Sequence, residues 1–180
     1  FRHWDEYVED KRQHLFVVSA TGGEPRDVTP GDRDANPTSS TFSGGDDFTF
    51  TPDSQHLIFT AVPDRDESWS TNYDLCRVGV TNSSTKWESI TKDNLAADGS
   101  PRFSPDGKRF AYRSQKKAGY EADKWDILFV DCKGDGALSG KPENLTSKHD
   151  LSVNEFVWLA DNTTFFFTAG SQNWEVVQKK

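Results

Sequence analysis

The residues with the most chemistry to offer lie in two acidic, aromatic segments, VPDRDESWSTNYD (62–74) and KKAGYEADKWD (116–126). Asp64, Asp66, Glu67 and Trp69 stand in the first, and Tyr120, Glu121, Asp123 and Trp125 in the second. Carboxylates beside aromatic faces suit an amine, because the acid pairs with an ammonium while a ring holds the cation or a neighbouring side chain. Glu67, Trp69, Tyr120, Glu121 and Asp123 are therefore the substrate-binding candidates. The same composition also suits solvated rim charges of little energetic worth.

Nucleophilic chemistry finds no support. A serine-hydrolase elbow needs a serine two residues after a glycine, and none of the 13 glycines has one. His3, His14, His56 and His149 fall at unrelated phases of the chain, so none is expected in a triad or a metal set. The stretch DCKGDGALSGKPE (131–143) misses the alternating acids of a calcium loop and reads as a solvated loop between strands. Its glycines Gly134, Gly136 and Gly140 miss the spacing of a dinucleotide-binding turn. No catalytic residue, metal site or cofactor is assigned. Cys76 and Cys132 stand 56 positions apart and read as two buried or half-buried thiols.

The elements that must position the candidate residues follow from length and repetition. One hundred and eighty residues suit a single domain, and the 33% hydrophobic fraction is carried by large rings, 13 Phe, six Trp and four Tyr. A net charge of −8 with dispersed basic residues disfavours nucleic acid as a partner. No apolar run approaches the ~18 residues that span a bilayer, so no membrane partner is expected. The chain lacks methionine and opens on the polar FRHWDEYVEDKR, which reads as an internal piece of a longer protein.

FTFTPDSQHLIFTAV, PRFSPDGKRFAYRSQ and FVWLADNTTFFFTAG share one pattern: an aromatic strand, a tight turn on Asp53, Asp106 or Asp161, and an alternating strand. The turn aspartates are spaced 53 and 55 apart. A third strand follows at YDLCRVGV and WDILFVDC, and a fourth element ends on the threonines of PRDVT, WESIT and PENLT, Thr29, Thr91 and Thr146. Four short antiparallel strands repeated at this period are the signature of a β-propeller blade. The expected fold is all-β, a partial propeller of about three to four four-stranded antiparallel blades in an incomplete ring. Blade remnants are placed at 14–30, full blades at 45–91 and 100–146, and a partial blade at 154–178, within one propeller fragment over 1–180. Open blade edges would allow self-association.

The same segments, in this order and spacing, resemble the N-terminal propeller of the prolyl oligopeptidase family, nearest to its dipeptidyl peptidase and acylaminoacyl peptidase branch. The resemblance covers nearly the whole chain and goes beyond the SPDG turn that TolB-type propellers share. It implies a parent serine peptidase whose separate α/β-hydrolase domain carries the Ser, Asp, His triad. In such enzymes the propeller gates access and helps bind short peptides. By this reading the chain is not an enzyme by itself, and its partners are that catalytic domain and short peptides. The alternative is a TolB-like protein-interaction propeller with no associated catalysis. A carbohydrate-directed propeller ranks last, because the inner segments FTFT, PRFS and FVWL carry no acids. The sequons at Asn82, Asn144 and Asn162 leave the compartment open.

Overall fold

A computed structural model describes residues 11–35, 47–63, 70–81 and 86–170. The described residues form twelve strands: β1 (Phe16–Val17), β2 (Arg26–Asp27), β3 (Phe48–Phe50), β4 (His56–Ala61), β5 (Asp74–Gly79), β6 (Glu88–Ser89), β7 (Asp98–Phe103), β8 (Arg109–Ser114), β9 (Asp126–Cys132), β10 (Leu138–Asn144), β11 (Val153–Trp158) and β12 (Phe165–Ala169). They assemble into two four-stranded antiparallel meanders, β3-β4-β5-β6 and β7-β8-β9-β10, flanked by the two-stranded sheets β1-β2 and β11-β12. None is closed on itself, which makes this a partial, all-β propeller. Among the described residues no helix is long and apolar enough to cross a membrane.

Blade packing follows from strands that are apolar on both faces. On β4, Leu57, Phe59 and Ala61 join Val28, Cys76 and Val78 in a core toward the β1-β2 sheet. Their neighbour Ile58 points the other way, into a core with Leu75, Phe110, Tyr112 and Val130 that seals the two four-stranded blades together. β8 repeats the device, since Ala111 turns with Ile127 toward Val153 and Phe156 of β11. Alternation along a strand thus serves two neighbours rather than one core and one solvent face, so these strands read as nearly continuous apolar runs.

Each inner hairpin turns on its aspartate. Asp53 accepts bonds from the Thr51 hydroxyl at 2.6 Å and the Gln55 N–H at 2.9 Å, and Asp106 does the same with Ser104 at 2.7 Å and Lys108 at 3.1 Å. The Leu-Ala-Asp-Asn turn reverses the arrangement, with Asp161 taking the Thr164 hydroxyl from downstream at 2.6 Å. These bonds favour ionisation, led by the Thr164 hydroxyl, and push the Asp161 carboxyl down to about 2. The residue after each aspartate, Ser54, Gly107 or Asn162, has φ of 59°, 70° or 61°, which completes the turn.

The outer strands are held by the repeated threonines. Thr29, Thr91 and Thr146 are buried, and each hydroxyl accepts the N–H of the second residue of its third-strand segment: Leu15 at 2.9 Å, Leu75 at 3.0 Å and Ile127 at 3.0 Å. Thr146 also donates to Asp126 at 2.7 Å. Thr146→Val is expected to lower stability by about 1–3 kcal/mol, because it strands a buried N–H and removes a donor from a carboxylate. A denaturation midpoint equal to that of the native chain would refute this.

One expectation needs correction. The stretch 131–143 is not a loop: β9 runs through Cys132, a tight turn follows, and β10 starts at Leu138, with a bulge between Ser139 and Glu143. Asp98 to Arg102 lie within β7, the inner strand of the second four-stranded blade. A bulge between Gly99 and Arg102, with Ser100 at φ 54°, lets that irregular sequence pair with β8. Two inner strands, β7 and β11, therefore begin earlier than the aromatic segments suggest, and β11 carries Glu155, exposed, before Phe156.

Candidate functional site

The candidate residues occupy the connection between second and third strands of successive blades. Glu67 and Trp69, with Asp64 and Asp66, lie outside the described residues. What is described of the first connection ends at Ser70 to Tyr73, and there it meets the second: the Gly119 N–H donates to Thr71 Oγ1 at 3.0 Å. The two loops thus touch across neighbouring blades.

The second loop is built around two side chains. Gln115, buried at the end of β8, donates from Nε2 to the carbonyls of Glu121 at 3.0 Å and Asp123 at 2.9 Å. Asp123 turns its carboxylate inward and accepts the N–H groups of Lys116 at 2.9 Å and Lys117 at 2.7 Å. Desolvation opposes its ionisation, but the N–H groups of Lys117, Lys116 and Lys124 outweigh it and hold the carboxyl below its usual value. Asp123 is thereby committed to the backbone of its own loop. Tyr120 and Glu121 are carried outward at the loop tip, with Tyr120 47% exposed. The Lys117 ammonium lies over the Tyr120 ring, 4.6 Å from its centre.

Below the loop the blades are tied by polar contacts. Ser100 N–H donates to Asp47 Oδ1 at 2.9 Å, from the second four-stranded blade back to the first. Arg113 donates to Ser100 Oγ at 3.0 Å and to the Asn154 carbonyl at 2.7 Å, on the next sheet, and lies over the Trp125 ring at 4.7 Å. Trp125 therefore serves the frame rather than the mouth, packing near Tyr73 and Ala97. Asp126, which opens β9, does not bridge blades. Instead it works within its own, bound by Lys124 at 2.7 Å, Asn144 at 2.9 Å and Thr146. The first sheet has the exchanged pair, His14 Nδ1 against Asp27 at 2.7 Å. His14 stands where the later units have Asp74 and Asp126, a substitution visible in the sequence only once the threonine register is aligned.

A cleft of about 470 Å³ opens beside this loop, lined by Asn94, Ser114, Gln115, Lys116, Asp126 and Asn144 among others. Its walls are largely bonded to each other. Asn94 Nδ2 alone lies within 2.9–3.1 Å of Asp98 Oδ1, Ser114 Oγ and the Gln115 carbonyl. Among the described residues no group of three His, Cys, Asp or Glu side chains could hold a metal ion. Both thiols are free, and burial pushes Cys76 up to about 12 and Cys132 to about 11, so neither is a ready nucleophile. Gln115, Thr71 and Lys117 were not singled out by sequence reasoning, since nothing in their spacing distinguishes them from surface polar residues.

No protein-family model matches the chain. It is 29% identical over 188 aligned positions to a dipeptidyl-peptidase 5 of Porphyromonas gingivalis, across 99% of this chain and 26% of that protein. A dipeptidyl-peptidase 5 of Arthroderma otae is 27% identical over 93% of this chain. The fold matches a Mycobacterium tuberculosis puromycin-hydrolyzing peptidase with a TM-score of 0.61 over 97% of this chain and 26% of that one, at 15% identity. In sequence and fold the chain resembles a propeller segment of the prolyl oligopeptidase family. The chain spans about a quarter of the length of the curated relatives it matches. A puromycin hydrolase structure gives the same picture, with a TM-score of 0.58 over 87% of this chain and 24% of that one.

Proposed function

We propose that this segment is the non-catalytic propeller portion of a serine peptidase, gating and helping to bind short peptides for a separate α/β-hydrolase domain of the parent chain. The observation that carries this reading is the alignment of nearly the whole segment with about a quarter of a dipeptidyl-peptidase 5. The contact between Thr71 and Gly119 supports a shared mouth, because it brings the two acid-bearing connections side by side. In that mouth Tyr120 and Glu121, with Glu67 and Trp69, receive the amino-terminal end of a peptide, and Asp123 shapes the loop that presents them.

The purified segment is expected to leave dipeptidyl and acyl-peptide substrates uncleaved, and turnover that copurifies with it would overturn the assignment. In the full-length parent, Glu67→Gln or Glu121→Gln is expected to raise KM for free-amine substrates about two- to fivefold with kcat unchanged, the range of an exposed ion pair. Unchanged kinetics in both variants would leave these acids as rim charges. A parent reading frame with no Gly-x-Ser-x-Gly segment would favour an interaction propeller instead.

A further inference from the structure

We infer that Lys117 is a specificity-determining residue of this mouth: its ammonium occupies the Tyr120 ring face that a peptide's amino terminus would use, so a free-amine substrate must displace it. The inference rests on the reading of the mouth as a peptide-amine site. Three observations carry it. The Lys117 Nζ lies 4.6 Å from the ring centre, within cation–π range, and the ring is half exposed. The contact is built into the loop, because the Tyr120 N–H donates to the Lys117 carbonyl at 3.3 Å and brings the two side chains to the same side of one turn. The backbone at Lys117 is itself pinned by Asp123 at 2.7 Å, while Gln115 and Thr71 hold the loop on either flank.

The chemistry separates two substrate classes. A peptide with a free ammonium competes with Lys117 for the ring and is repelled by it at short range. A peptide whose amino terminus is acylated carries no cation and gains nothing from the ring as a cation site. Lys117 therefore narrows the preference for free-amine over acylated peptides that Tyr120 and Glu121 create. It sets that ratio without touching the scissile bond.

The test is steady-state kinetics of the full-length parent and its Lys117→Met variant on one dipeptide leaving-group substrate in free-amine and N-acetyl forms. Methionine keeps an unbranched side chain close to the length of lysine and removes the ammonium. The expected result is a KM for the free amine lowered about two- to fivefold, the range of an exposed cation–π contact, with kcat and the N-acetyl KM unchanged. A free-amine KM that stays the same or rises would overturn the inference. Tyr120→Leu in parallel distinguishes the two levels of the argument. If it raises the free-amine KM while Lys117→Met has no effect, the mouth binds the amine but Lys117 does not compete. If neither variant moves KM, the reading of the mouth falls, and the role of Lys117 with it.

Discussion

Gly136→Ala is expected to lower the stability of this propeller segment by about 2–4 kcal/mol, although it adds a single methyl at a hairpin turn. Gly136 has φ of 78°, a left-handed conformation that costs an L-residue about 1 kcal/mol or more. A Cβ there would stand 2.6 Å from Thr51 Cγ2 and 3.2 Å from Ile58 Cδ1, on the neighbouring blade. Neither atom can withdraw cheaply: Thr51 is buried and bonded to Asp53, and Ile58 is fully buried in the core between the blades. Overpacking of that kind costs about 1–3 kcal/mol more. The same seam is closed by the Asp53 N–H, which donates to the Gly134 carbonyl at 3.1 Å, so a shifted turn would lose this bond too. Gly134→Ala is the control, since a methyl there meets nothing within 4 Å. Chemical denaturation of both variants decides the matter. Equal midpoints for the two would show that the seam relaxes around the methyl.

The second large effect is on pH. Asp98 opens β7 at the seam between the four-stranded blades, 1% exposed, and its Oδ2 is buried with no hydrogen-bond partner. Burial is the main cause that pushes its carboxyl up to about 7; bonds from Ser114, Asn94 and Thr91 oppose the rise, and the like charge of Asp74 adds to it. The folded pKa thus lies above the ordinary carboxylate value of the unfolded chain. The unfolded state releases the proton first, so stability is greatest below about pH 4 as far as this group is concerned. It is lost as pH rises and is gone once pH passes about 7. The loss amounts to a few kcal/mol, on the order of 1.4 kcal/mol for each pKa unit. Asp98→Asn removes the charge while Oδ1 can still accept from Asn94 Nδ2, a bond of 2.9 Å in the native chain. The variant is expected to be the more stable protein at pH 8 and to lose most of the slope between pH 4 and 7. Parallel pH profiles for the two chains would place the ionisation elsewhere.

How much of this was legible beforehand depended on what repeats. The turn aspartates, the alternating second strands and the threonines that end each unit recur in register, so the propeller and the order of its strands could be read from spacing. Each of these features is local, satisfied by partners within a few residues or on the adjacent strand. The loop residues do not recur, and there the reading reached only composition. It grouped Asp123 with the acids that would meet a ligand, because a sequence lists a carboxylate without its direction. The fold turns that carboxylate back onto the Lys116 and Lys117 N–H groups. It also missed the hairpin at 131–143, since β10 is exposed after Leu138 and has no apolar alternation to announce it. Trp125 was likewise placed by type, whereas its stacking under Arg113 at 4.7 Å depends on the fold that brings β8 beside the third-strand entry.

The amino-acid sequence by itself determined the blade: hairpin turns set by Asp and a following residue that accepts positive φ, strands apolar on both sides, and threonines that cap the outer pair. Tertiary structure alone decided which side chains remain available at the mouth. Availability depends on what burial and neighbouring N–H groups, hydroxyls and cations have already claimed, and those neighbours come from different strands and different blades.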